Sequence, residues 1–482
     1  MCIKNKLLIL LSIVTTVCTS SCQKWTDVTP SIEMRGELVF SNESTVFEAL
    51  NGVYGRMTKM DGYGRNMTWG LVDVMGGVYN PLRLQAFEVE ATNGRFNDIQ
   101  TEGVIENIWN NTYFCLANVN NLISSMDKSD PTIFSGNNKN LIKGEALGLR
   151  AMLHFDILRL FGPTYNTLNW NSPILPYVKQ YTSNVTPRIS GQAFVDLVLA
   201  DLAEAGDLLK NDPIISAIAK EELQSRQVRL NYYAVKALQA RVYLWIGNKE
   251  KAMQAATDVI NIAAVKFPWI KAEEIISQGT LYDYIFSKEN IFSLHINQQR
   301  ENIEGLLVDI PIKTSLPQDF EPHYSITQEM RQDIYETSGN GITDYRNTFM
   351  IGSETFQSQT ILLYKKLHQT GGLSTSGTQR PFTYAESRTP IVKLSEMFYI
   401  MAECLLDTDP VAALGYLNTV RSNRGITTLL EASLPVQQIK QEITKEYRKE
   451  FPCEGQYFYY LKRIGERNYI LPLPKRELEY GL

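Results

Sequence analysis

Histidine is scarce: the 482 residues contain four, and His154, His295, His323 and His368 stand apart with no HExxH spacing. Six cysteines with no Cys-x-x-Cys pair supply neither a zinc cluster nor a disulfide scaffold for a chain this long. Positive charge is not in surplus, since 47 Lys and Arg face 52 Asp and Glu for a net −5, which argues against a nucleic-acid backbone as partner. No Gly-x-Ser-x-Gly elbow, phosphate-binding loop or dinucleotide fingerprint occurs. After residue 22 no apolar run approaches the roughly 20 residues of a spanning helix. These absences leave no catalytic residue, no metal and no cofactor to predict.

What the chain does hold is apolar material (44%) and tyrosine, 25 residues against 19 Phe and 6 Trp. Tyrosine joins an apolar face to a polar tip, which suits both wet layer boundaries and the faces of sugar rings.

Residues 1–21 have the layout of a secretory signal: Lys4 and Lys6, an apolar stretch from Leu7 to Val17, then small residues. Cys22, directly after Thr19-Ser20-Ser21, resembles the lipidated cysteine of a bacterial lipobox, although Thr19 stands where Leu is usual. Residues 22–42 then read as lipidated cysteine plus extended linker, and residues 43–482 as one domain. Membrane attachment is expected through the lipid anchor only.

From residue 43 the apolar spacing is helical, with Val46, Leu50, Val53, Tyr54 and Met57 three and four apart. Residues 104–126 and 143–161 follow the same rule, and Gly162-Pro163 ends the second. Residues 231–262 and 392–424 each read as a helical hairpin with small residues at the pairing face: Ala234, Ala237, Ala252, Ala255 and Ala256 in one, Ala402, Ala412 and Ala413 in the other. Between about 265 and 390 the periodicity fades into Gly, Pro, Ser and Thr with strand-like runs at 290–297 and 359–367; helical periods resume from Ile391. The expected fold is mostly α: a tetratricopeptide-like scaffold of four helical pairs with a loop-rich insertion that carries short strands. Cys115, Cys404 and Cys453 fall inside helical patterns and read as small buried hydrophobes, with a disulfide between two of them left open.

Charged residues concentrate in these helices. Glu145, Arg150, Glu396, Glu403, Arg421, Arg424, Arg448, Glu450 and Glu454 read as a structural network of opposite charges. Glu450 and Glu454, at i and i+4, share a helix face as a carboxylate pair would, but the surrounding basic residues favour ion pairing over acid–base catalysis.

The ordered set of motifs resembles the SusD/RagB family, surface lipoproteins of Bacteroidetes nutrient-uptake systems. It comprises Trp25-Thr26-Asp27-Val28-Thr29-Pro30, Ala49-Leu50-Asn51-Gly52-Val53-Tyr54 and Gly144-Glu145-Ala146-x-x-x-Arg150-Ala151 with Leu160-Phe161-Gly162-Pro163. Pro390 to Glu396, Ala402-Glu403 and Leu417-Asn418-x-Val420-Arg421 follow, then Glu446-Tyr447-Arg448-x-Glu450-Phe451 with Glu454-Gly455, Leu461-Lys462-Arg463 and Leu473-Pro474. The family more often has Arg at the places of Lys393 and Tyr457 and Asp at that of Tyr460.

The resemblance implies a non-enzymatic, outer-membrane, lipid-anchored protein facing the cell exterior, which captures oligosaccharide and passes it to a SusC-like TonB-dependent transporter. A peptide ligand is the nearest alternative; a surface glycan-degrading enzyme is the alternative from another class. It also favours ligand residues after the first helix, where Tyr63, Asn66, Trp69, Asp73, Tyr79 and Arg83 combine rings with planar polar groups. Trp170 in the loop at 163–190, and Trp269 and Tyr282 further on, offer the same combination.

Overall fold

In the computed structural model, residues 40–165, 167–277, 281–297, 302–303, 323–356, 359–367 and 387–480 are described. The expected signal segment, Cys22 and most of the linker lie outside them. Asn42 caps the first helix, its side chain accepting from the Thr45 amide at 3.1 Å, and Glu43 faces the helix dipole. This helix, α1 (Glu43–Met57), buries Val46, Leu50, Val53, Tyr54 and Met57.

A run of turns over residues 58–70 leads to two short helices, α2 (Leu71–Gly76) and α3 (Ala86–Thr92). Long helices follow: α4 (Ile99–Lys128), α5 (Asn138–Phe161) and α6 (Gly191–Leu208). Then come α7 (Tyr232–Trp245) and α8 (Lys249–Ile260), separated by Gly247, which takes the left-handed φ of 72° that lets the chain reverse. After the insertion, α9 (Leu394–Leu405), α10 (Pro410–Asn423), α11 (Val436–Glu450) and α12 (Gln456–Arg463) complete the scaffold. None of the helices among the described residues is long and apolar enough to cross a membrane.

The long helices pack in series from α4 to α8. The small residues on α7 and α8 are buried at their contact, where the absence of bulk lets the backbones approach. α8 then packs directly on α9, so the array continues across the whole insertion, and α9 takes α10 and α11 in turn. α12 returns to pack on α2 and closes the chain on its own beginning. The fold is mostly helical, with one continuous apolar core and a small satellite of Ile270, Ile275, Phe286 and Met350 beneath the insertion.

Among the described residues the strands form four antiparallel pairs: β1 (Pro173–Pro176) with β2 (Arg188–Ser190), β3 (Ile276–Ser277) with β4 (Leu281–Tyr282), β5 (Asn290–His295) with β8 (Arg388–Lys393), and β6 (Ile351–Phe356) with β7 (Gln359–Tyr364). β8 corrects the expectation that helix resumes at Ile391. Pro390 interrupts helical hydrogen bonding, and the segment pairs with β5 instead, so α9 starts only at Leu394. Cys115, Cys404 and Cys453 are all free and buried. Cys453 is not helical: it sits in the turn between α11 and α12 with a φ of 67°.

Buried ion pairs tie the layers together. Arg150 on α5 meets Asp201 on α6 through two bonds of 2.6 and 2.7 Å. Arg241 on α7 clamps Glu396 on α9 with bonds of 2.6 and 2.5 Å, bridging the halves that the insertion separates. Glu145 does not pair with Arg150; it accepts from Tyr54, Arg226 and Arg229.

Candidate functional site

The C-terminal carboxylates are buried and occupied. Arg346 bonds Asp344, Glu446 and Glu450 at 2.7, 2.8 and 3.1 Å, and Arg424 bridges Glu289 and Glu450 at 2.6 and 2.7 Å. Lys393 reaches Glu450 and Glu454, Lys366 also reaches Glu454, and Arg421 pairs with Glu446. Glu403 holds Arg463 bidentately, whereas Arg448 pairs with Asp333 at the surface. Burial alone would raise Glu446, but Arg346, Lys449 and Arg421 overcome it and hold the carboxyl well below the usual range. Glu450 is lowered in the same way by Arg424, Lys393 and Arg346, against its burial. Carboxylates locked among cations in a dry interior are suited to fixing helices, not to exchanging protons with a substrate.

The linkage has a sign. Both carboxyls titrate lower folded than unfolded, so the unfolded chain binds more protons as acid is added. Their contribution is fully present above about pH 5–6 and is lost as pH falls below about 5. These two carboxyls are therefore expected to lower the guanidinium midpoint steeply below about pH 5, whereas the raised Asp73 carboxyl acts in the opposite sense, adding stability as pH falls through about 8. A midpoint that stays level through about pH 3.5 would refute this coupling.

Most aromatic ligand candidates are interior, which corrects their expected exposure. The Tyr63 hydroxyl donates to Asp156 at 2.5 Å, the Trp69 indole N–H donates to the Gly64 carbonyl at 2.9 Å, and Tyr79 donates to the Trp69 carbonyl at 2.6 Å. All three rings are buried, so none offers a face to a sugar. Asp73 is fully buried and accepts from the amides of Cys453 and Gly455 at 2.5 and 2.9 Å, pinning the turn before α12. Burial pushes its carboxyl up to about 8, against the pull of those two amides. Trp170 is buried edge-on to Tyr165, and half-buried Trp269 lies beside Phe398 with the Arg424 guanidinium 5.2 Å from its ring. The structure sets the Tyr282 backbone in β4, opposite Ile276. Asn66 and Arg83 alone of the first group remain half-buried.

These interior rings support a surface shelf. Tyr79 stacks on Tyr324 with centroids 4.6 Å apart, and the Asn80 amide donates to the Ser325 carbonyl at 2.7 Å. Above them the loop that follows buried Asn80 reaches the surface, with Pro81, Leu82 and Gln85 exposed (Leu82 by 90%) and Arg83 half-buried. Two local bonds set the loop: the Leu82 amide donates to the Asn80 side chain at 3.1 Å, and the Gln85 amide to Glu88 at 3.0 Å. Glu88 also accepts from Tyr324 at 2.6 Å and meets His323, while Arg65 donates to the Tyr324 hydroxyl at 3.1 Å. The shelf is therefore rigid below and polar at its edge, and it draws on segments more than 230 residues apart.

Glu88, His323 and Tyr324 were absent from the sequence-based set. Gln85-x-x-Glu88 has the spacing of a capping box and was a readable local signal. Nothing local marks His323 or Tyr324, because their partners come from the other end of the chain. Among the described residues no group of three or more His, Cys, Asp and Glu is arranged to hold a metal ion.

A profile of the SusD family matches residues 204–478, and a second, for SusD-like proteins described as starch-binding and associating with the outer membrane, matches residues 24–244. No curated protein matches the chain. Among solved structures, a SusD superfamily protein from Bacteroides thetaiotaomicron is 21% identical over 91% of this chain and 98% of its own, with a TM-score of 0.64. A protein from Bacteroides vulgatus named a putative sugar-binding protein is 21% identical over 88% of this chain and 87% of its own, with a TM-score of 0.65. A laminarin-binding SusD-like protein is 19% identical over 92% of this chain and 98% of its own, with a TM-score of 0.63. At these identities the structures establish the shared fold, and the first profile spans more than half of the residues, so the chain belongs to the SusD family.

Proposed function

We propose that the protein is a carbohydrate-capture protein that binds oligosaccharide at the shelf of residues 80–85 and passes it, intact, to a SusC-like TonB-dependent transporter. In this reading Cys22 carries the lipid that holds it to the outer membrane, facing the exterior. The observation that carries the binding role is the match to a starch-binding, outer-membrane-associating family over residues 24–244, the half of the chain that contains the shelf. The laminarin-binding relative supports the same ligand class.

The geometry suits the task. A pinned loop loses little conformational freedom when a ligand arrives, and an exposed aliphatic next to a guanidinium meets both the apolar face and the hydroxyls of a sugar. Arg83 and Asn66 are the proposed polar contacts and Leu82 the apolar one.

Calorimetry with maltotriose, laminaritriose and a short peptide panel, followed by product analysis, tests the proposal. Saturable heat from an oligosaccharide is expected, with Arg83→Ala weakening it by about 10- to 140-fold, the range for one hydrogen bond to a charged group. Heat from peptides alone would move the ligand class to peptide capture. Cleaved sugar in the product analysis would overturn the non-enzymatic role.

A further inference from the structure

A groove of about 380 Å³ opens where the first half of the helical array faces the last, and no part of it is shared with the shelf. Trp245 at the end of α7, Glu403 on α9, Lys440 on α11 and Tyr460 and Arg463 on α12 line it, with Tyr165 at the rim. An inner chamber of about 30 Å³ continues from it, sharing Leu244, Trp245, Tyr460 and Arg463.

Two features make this a binding site rather than a packing gap. The first is an unused hydrogen-bonding capacity. The Trp245 indole N–H and the Tyr459 hydroxyl are buried and find no protein partner among the described residues, and both residues line the inner chamber. Buried polar groups of this kind are rare and call for an acceptor.

The second feature is charge balance. Arg463 is already paired with Glu403 at 2.8 and 2.9 Å, and Lys249 with Asp407 at 2.7 Å. An ionic ligand would have to break such a pair, whereas a neutral polyhydroxyl can accept from the guanidinium edge and donate to the carboxylate without separating them. Rings at the rim and floor supply apolar faces, and the volume lies at the small end for ligand pockets.

We infer that this groove is a second saccharide site, built by the helical scaffold itself and sized for one or two sugar rings, with a hydroxyl in the inner chamber accepting from Trp245. The inference takes its ligand class from the carbohydrate reading above, so the test must separate the two sites.

Calorimetry on the full chain with maltose, maltotriose and laminaritriose does so through three variants. Trp245→Phe removes the indole N–H together with the pyrrole part of a ring that packs on Phe155, Tyr165→Ala removes a half-buried ring that lies edge-on to Trp170, and Arg83→Ala alters the shelf. The expected result is a binding step weakened about tenfold by Trp245→Phe and by Tyr165→Ala and unchanged by Arg83→Ala. If Trp245→Phe does not fold, Tyr165→Ala decides alone. Sugar binding that both groove variants leave untouched and Arg83→Ala abolishes would overturn the groove and keep the shelf. Binding lost only in the groove variants would do the reverse, and silence from all three sugars would overturn the ligand class for both.

Discussion

Replacing Arg424 by alanine is expected to lower the unfolding free energy by about 3–5 kcal/mol. Its guanidinium is fully buried and joins Glu289, at the edge of the insertion, to Glu450, at the end of α11. Removing it strands two carboxylates in a dry interior with part of their compensation gone. Lys393 still reaches Glu450, but no other cation pairs with Glu289 among the described residues. Arg424→Lys should recover only part of the loss, because one ammonium cannot reproduce two forked contacts. The measurement is the guanidinium midpoint near neutral pH, with Arg448→Ala as comparison. Arg448 and Asp333 are both solvent-exposed in part, so that variant should stay within about 1 kcal/mol of the parent. Equal losses in the two variants would show that burial does not set the worth of these pairs.

Gly64→Ala is expected to be the most damaging methyl addition near the shelf. A Cβ there would lie 2.1 Å from the Thr58 carbonyl oxygen and 2.9 Å from that of Lys59, both backbone atoms of the turn that follows α1. No side chain can move aside, so the turn itself must open. That turn carries the Trp69 indole bond to the Gly64 carbonyl, and Tyr79 in turn bonds the Trp69 carbonyl beneath Tyr324. The expected cost is about 1–3 kcal/mol, together with a loss of saccharide affinity of at least about tenfold from the displaced shelf. Gly52→Ala is the control: its Cβ would meet nothing within 4 Å, and alanine favours a helix interior. A Gly64→Ala protein with parental midpoint and parental affinity would show that the shelf does not depend on this turn.

Both predictions treat the polar interior as a positioning device. The buried pairs hold α7 to α9 and α11 to the insertion, and through Asp73 they reach the turn that seats α12 on α2. Surface loops can then vary in sequence while the frame under them stays rigid.

The helices were legible in the residues alone, because a helix is satisfied by its own neighbours. The stop at Gly162-Pro163 and the alanine faces of α7 and α8 act within a few residues, and each appears where the local pattern put it. The family motifs were legible for the same reason, being short runs at fixed spacing. The helical register of α9 was legible too, although its start was displaced to Leu394 by a strand whose partner, β5, lies about a hundred residues earlier.

Only the tertiary structure decided which aromatic rings face inward. Residues 58–70 have no periodicity from which to read a buried side, and whether Trp69 or Tyr79 meets solvent depends on Tyr324, some 250 residues away. It also decided that α8 meets α9 across the insertion, that Arg346 stands at the centre of the carboxylates, and that Trp245 and Tyr459 share a chamber. Burial belongs to surfaces that exist only once distant segments have met, whereas a helix is settled by residues three and four apart.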